Sequence, residues 1–150
     1  MLRENLKEIL IRDLNKLRSE IEMYTDESKL WVISGNIKNS AGNLCLHLTG
    51  NLQHFIGTVL GESGYVRNRD SEFSSKNIPK TELLKSIDET IEVVEKTLSS
   101  LSEEVFSKIY PFEFANKKVT TRYFLLHLVA HLNYHLGQIN YHRRLIDTSE

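Results

Sequence analysis

Four of the six histidines in the chain fall in one stretch, HLVAHLNYHLGQINYH, which runs from His127 to His142. The other two, His47 and His54, share the segment LHLTGNLQHFIG. Imidazole ligates borderline divalent metals and carries protons near neutral pH, so a clustering of this one residue type points to one of those two uses. His131 and His135 are four residues apart. On an α-helix that is about 40° of rotation and about 6 Å of rise, so both rings share one face. It is the spacing at which one helix offers two nitrogens to one ion. His127 and His131 have the same spacing and form a competing pair. The later pair continues the stripe of Phe124 and Leu128 by three- and four-residue steps, which favours it.

A third histidine on another segment is what separates a metal site from a satisfied core residue. His47 stands between Leu44 and Leu48 on an apolar stripe. His54 follows seven residues later, about 20° away in rotation but about 10 Å along the axis. Both can face inward, yet the two cannot serve one site. Three neutral imidazoles on a divalent ion leave positions open for water or substrate, as in a catalytic rather than a closed structural site. Zinc, nickel and ferrous iron all suit such ligands. The ion would acidify a bound water or deprotonate a substrate thiol. Cys45, about 200° from His47 on a helix, points nearly the opposite way and reads as a packing residue.

These residues need elements to hold them, and four segments carry helical periodicity. The first spans about Leu2 to Tyr24, with Leu6, Leu10, Leu14, Leu17, Ile21 and Tyr24 as its stripe. The second spans about Ser40 to Leu60, with Leu44, Leu48, Leu52, Phe55 and Val59 on its buried side and Gly61 as its stop. The third starts near Lys80 with Thr81 as its cap and carries Leu84, Ile87, Ile91, Val94, Leu98 and Leu101. The fourth spans about Thr120 to Ile146, with Phe124, Leu128, His131, His135 and Ile139 facing inward. Four such amphipathic helices predict an all-α four-helix bundle in a single domain over residues 1–150. The connectors are longer than simple hairpins need and leave room for a crossover and for loops over one end. The aromatic residues of YPFEF are expected to fold back over the bundle end.

Composition narrows the function. The formal net charge is −1, which gives no electrostatic case for nucleic acid. No apolar stretch is long enough for a signal peptide or a membrane span, so no membrane partner is expected. One cysteine excludes an internal disulfide and fits a cytoplasmic location. The loop VRNRDSEF brings Arg67, Arg69, Asp70 and Glu72 together, with Phe73 as its anchor. The favoured reading is a surface ion-pair loop of small energetic value. Arginines that hold an anionic substrate are the alternative.

The segments NLCLHLTGNLQHFIG and HLVAHLNYHLGQINYHRRLI resemble the DinB-like (YfiT-like) superfamily of four-helix-bundle metalloenzymes. HLNYHLGQI looks like that family's paired-histidine segment before Gly-Gln, and YVRNRDSEF resembles a subgroup of unknown function with an Arg-Asp-x-Glu-Phe loop. The resemblance implies metal ligands at His47, His131 and His135, in a site open toward one end of the bundle. It also implies a metal-dependent transferase acting with a small thiol, as in relatives that use bacillithiol or mycothiol. Leu136 stands where many relatives carry arginine, so no substrate contact of that arginine carries over. The competing expectation is a non-enzymatic metal-binding or dimerising module, and bundle faces commonly pair as two-fold homodimers. His54, His127 and His142 remain as neighbours of the site.

Overall fold

The structure is a computed structural model that describes residues 1–148. It is all-helical. Among the described residues no strand forms, and two isolated bridges, Ile109 with Thr120 and Phe114 with Lys117, tie the last connector together. Helix α1 covers Leu2–Glu22 and buries Leu6, Leu10, Leu14, Leu17 and Ile21, the stripe expected from their three- and four-residue spacing. Helix α2 covers Ala41–Leu52 and starts at Ser40, whose hydroxyl accepts the backbone N–H of Asn43. That bond satisfies a donor the first turn would otherwise leave free.

The expected second helix is interrupted. After Leu52 the chain makes a π-helical turn, Gln53–Thr58, before α3, Val59–Gly61. The wider turn changes which residues face the core. Ile56 is fully buried, whereas Phe55 and Val59 are only half-buried. Gly61 does not supply the left-handed residue that ends the helix; Glu62 does, at φ 50°. Gly61 is needed for close approach instead, since a Cβ there would collide with the side chain of Thr97. The following connector, which carries the VRNRDSEF loop, contains a short helix, α4, Arg69–Ser74, capped by Asn68.

Helix α5, Lys80–Ser100, begins at Pro79 with no side-chain cap, so Thr81 does not play that part. The Lys80 N–H finds Glu27 Oε2 at 3.1 Å. Its buried face runs through Leu83, Ile87, Thr90, Val94 and Thr97, which leaves Leu84 and Ile91 half-buried on the flank. Helix α6, Thr121–Ile146, is capped by the Thr120 hydroxyl, which accepts the Tyr123 N–H at 3.2 Å.

Helices α1 and α2 each pack against both α5 and α6. The cross-helix contacts give the directions. Asp13 bonds Asn133 and Glu20 bonds Asn140, so α1 and α6 run parallel. Arg3 reaches the Leu101 carbonyl and Arg18 reaches Asp88, so α1 and α5 run antiparallel. Gln53 bonds Thr90, and Gly61 lies on Thr97, so the second helix and α5 run parallel. His47 faces His131 and Phe55 faces Phe124, so α2 and α6 run antiparallel. One end of this arrangement is closed by the connector before α6, as expected from its aromatic residues. Tyr110 and Phe114 pack on Phe124, and the Tyr110 hydroxyl donates to the Phe55 carbonyl. No helix among the described residues is long and apolar enough to cross a membrane.

Candidate metal centre

The antiparallel contact of α2 and α6 brings His47 against His131 and His135. One ring nitrogen from each can be chosen so that all three lie within 4.8 Å of one another. His47 Nε2 and His131 Nε2 are 3.1 Å apart, a separation two nitrogens can have on one ion. The rings meet edge to face, with interplanar angles of 78° between His47 and His131, 88° between His47 and His135, and 90° between His131 and His135. His127 stays outside this group. Its ring lies 4.2 Å from that of Phe114 and 6.0 Å from that of His131. The pair on the Phe124 and Leu128 side of the helix is therefore the one that meets His47.

α6 buries Leu128, Leu132 and Leu136 at its centre, and His131 and His135 sit half-buried on the flank toward α2. Burial, and then the charges of His135 and His47, push the His131 pKa down to about 4. Burial also lowers that of His135, against the opposing bond to Gln138. Both rings are neutral at pH 7, the form that donates a lone pair. His131 turns its Nε2 toward the cluster, and its other ring nitrogen, Nδ1, is buried without a protein partner. The converging neutral nitrogens fit a borderline divalent ion, and His47, His131 and His135 could hold one.

A second layer sets the orientation of the first. The Nδ1 of His47 lies 3.1 Å from Glu72 Oε1, and that of His135 lies 2.7 Å from Gln138 Oε1. A proton on each Nδ1 donates to these acceptors and leaves Nε2 free to ligate, the usual outer-shell arrangement. Glu72 is 5% exposed and is held in turn by a fork from Arg67, with both bonds 2.9 Å long. Burial would raise the Glu72 pKa, but the bonds from His47 and Arg67 outweigh it and keep the carboxylate ionised. Phe73 packs its ring 4.8 Å from that of His47, which makes it an anchor as expected.

Sequence reasoning placed Glu72 in a surface ion-pair loop, and the structure corrects this. Two features carry it inward. Asn43 donates to the carbonyls of Glu72 at 3.0 Å and Ser75 at 2.8 Å, which pins α4 onto α2. Gly50 then leaves bare backbone where the Glu72 carboxylate lies; a Cβ at Gly50 would overlap Glu72 Oε2. A glycine in mid-helix is costly, and one placed a single turn after His47 was the available signal that something approaches there.

The remaining histidines have other work. His142 is buried; its Nδ1 accepts the Tyr24 hydroxyl at 2.6 Å and its Nε2 donates to the Val32 carbonyl at 2.8 Å. It is a structural tie between α6 and the connector that follows α1. His54 lies at the π-helical turn beside Phe55, half-buried and outside the triad. Cys45 is fully buried, which pushes its thiol up to about 12 and leaves it inert, in keeping with a packing residue.

No curated protein matches the sequence. A family model described as "Protein of unknown function (DUF1572)" matches residues 4–150. With nearly the whole length covered, the chain belongs to the DUF1572 family, a family of unknown function.

Proposed function

We propose that the protein is a four-helix-bundle metalloprotein of the DinB-like kind, in which His47, His131 and His135 hold one divalent ion. The observation that carries this reading is the convergence of three ligand atoms within 4.8 Å, contributed by two helices. Zinc, nickel and ferrous iron all suit the donor set. The further proposal is a metal-dependent transfer reaction with a small thiol. When bound, the ion would supply Lewis acidity and keep a thiol in its reactive, deprotonated form. Glu72 is poorly suited to be a general base, because His47 and Arg67 already occupy its oxygens. That favours a substrate whose proton the ion itself can displace, and a thiol is the common group of lowest pKa that meets this need. In such a transfer the sulfur forms a bond to an electrophilic carbon, the leaving group departs with the electron pair, and the thiol proton passes to solvent.

The first test is metal analysis of protein purified without a histidine tag, followed by zinc and nickel titration. His131→Ala or His135→Ala is expected to abolish binding, and His127→Ala to spare it. Protein that carries no metal and takes up neither ion would sink the reading. A panel of small thiols with an electrophilic acceptor tests turnover; metal binding without activity across that panel favours the non-enzymatic alternative.

A further inference from the structure

A cavity of about 670 Å³ opens directly beside His135, between the loop Asn36–Asn39 and the outer face of α6. That volume is in the range of sites that enclose small organic ligands. His135 and Gln138 form part of its wall, so an occupant lies against the same imidazole that the centre uses. Ile37, Leu44, Tyr134, Tyr141 and Leu145 supply apolar and aromatic surface. Tyr134, Tyr141 and Leu145 are each about two-thirds exposed, at 66%, 65% and 69%. Large apolar groups gathered around a concave wall in this way mark a binding surface rather than scattered exposure.

The charge of the wall is one-sided. Among the described residues Lys38 is the one charged side chain of the wall, and no aspartate or glutamate of those residues lines it. Lys38 also makes no ion pair among the described residues. The three histidines bring no negative charge from the other side, and the Glu72 carboxylate is matched by Arg67. A neutral or anionic ligand with an apolar body fits the wall, and the unmatched ammonium selects the anion. The two tyrosines, seven residues apart on α6, offer ring surface to a flat ligand.

We propose that this cavity binds a small organic anion with a flat apolar body, its charged group at Lys38 and its body along Tyr134, Tyr141 and Leu145. That this ligand is a substrate rests on the metal-centre reading; the binding itself does not.

The probe is 8-anilinonaphthalene-1-sulfonate, an aromatic anion, titrated by fluorescence into the full chain with and without zinc. Saturable binding of one probe per chain is expected, with near-ultraviolet circular dichroism unchanged. Lys38→Glu should weaken it by about fivefold or more, the effect of replacing an attraction by a repulsion near the surface. Leu145→Asp should weaken it as well, and Lys85→Glu, outside the cavity, should leave it unchanged. Absence of saturable binding, or equal affinity in Lys38→Glu, overturns the proposal. So does emission that grows only as the near-ultraviolet signal is lost, the mark of a loosened core. In His131→Ala, retained probe binding with lost zinc binding supports the cavity independently of the metal. Probe binding that depends on Lys38, in a chain that takes up no metal, likewise upholds the cavity while the metal-centre reading fails.

Discussion

Gly50→Ala tests the reasoning about Glu72 most sharply, because the usual expectation has the opposite sign. In a helix interior, alanine is more favourable than glycine by about 1 kcal/mol. At Gly50 the new Cβ would overlap Glu72 Oε2 and lie 2.8 Å from its Cδ. The carboxylate must leave, and with it go the bonds from Arg67 and His47. Breaking a buried ion pair by displacing one partner costs about 3–5 kcal/mol. The balance is a net loss of about 2–4 kcal/mol, which for a domain of this size corresponds to a fall in Tm of roughly 4–16 °C. Urea or thermal unfolding of metal-free protein measures it, and zinc titration should show affinity reduced about 10–100-fold as His47 loses its acceptor. The cause is isolated by repeating the change in a Glu72→Ala background. There Gly50→Ala should become neutral or stabilising, since nothing remains to collide with. A single Gly50→Ala variant as stable as the parent would refute the packing argument outright.

Three further outcomes follow from the same contacts. Asn43→Ala removes the hold on the Glu72 and Ser75 carbonyls and should weaken zinc binding, although Asn43 touches none of the three histidines' ring nitrogens; isothermal titration checks it. Tyr24→Phe leaves His142 Nδ1 buried without its donor and should cost about 1–3 kcal/mol in urea unfolding, with metal affinity unchanged. Acid should destabilise the metal-free protein from about pH 6.5 downward. His131 titrates near 4 when folded and near 6.5 when unfolded, so between those values the unfolded chain binds a proton that the folded one does not, and stability falls as pH falls. Glu72, whose folded pKa is lowered, adds to the loss in the same direction below the normal carboxylate range. Replacing His131 by Gln should flatten the upper part of that profile.

The parts of the molecule that follow from helical period were legible in the sequence. The stripe of α1 and the His131 and His135 pair depend only on spacing along one helix, and both came through. Features that depend on another element did not. The π-helical turn moved Ile56 into the core, and it leaves no signature in a pattern read with a fixed period of 3.6. On α5 the buried face includes Thr90 and Thr97, whose polarity hid them; Thr90 satisfies its hydroxyl at the Ser86 carbonyl. Glu72 reads as a surface residue in the sequence because its burial requires Asn43 and Gly50 of α2 together with Arg67 of its own loop, a pairing of two elements that no single pattern shows. His142 likewise reads as a spare histidine in the sequence, because the partners of its two nitrogens, Tyr24 and Val32, come from the other end of the chain.

The parallel course of the second helix and α5 also dictates a path. A chain that finishes α3 at Gly61 and starts α5 at Lys80 has to travel back along the whole second helix, roughly 30 Å, before it can begin again. Eighteen intervening residues could span nearly twice that when extended, so the return has slack, and α4 is where some of the slack is wound up. The returning segment passes His47 on its way. Arg67, Glu72 and Phe73 all reach that histidine from this one segment, so a change along it alters what leans on His47. The connector thus acts as a strap drawn across the second helix, buckled at Asn43 and Gly50, with its grip on the ring of His47.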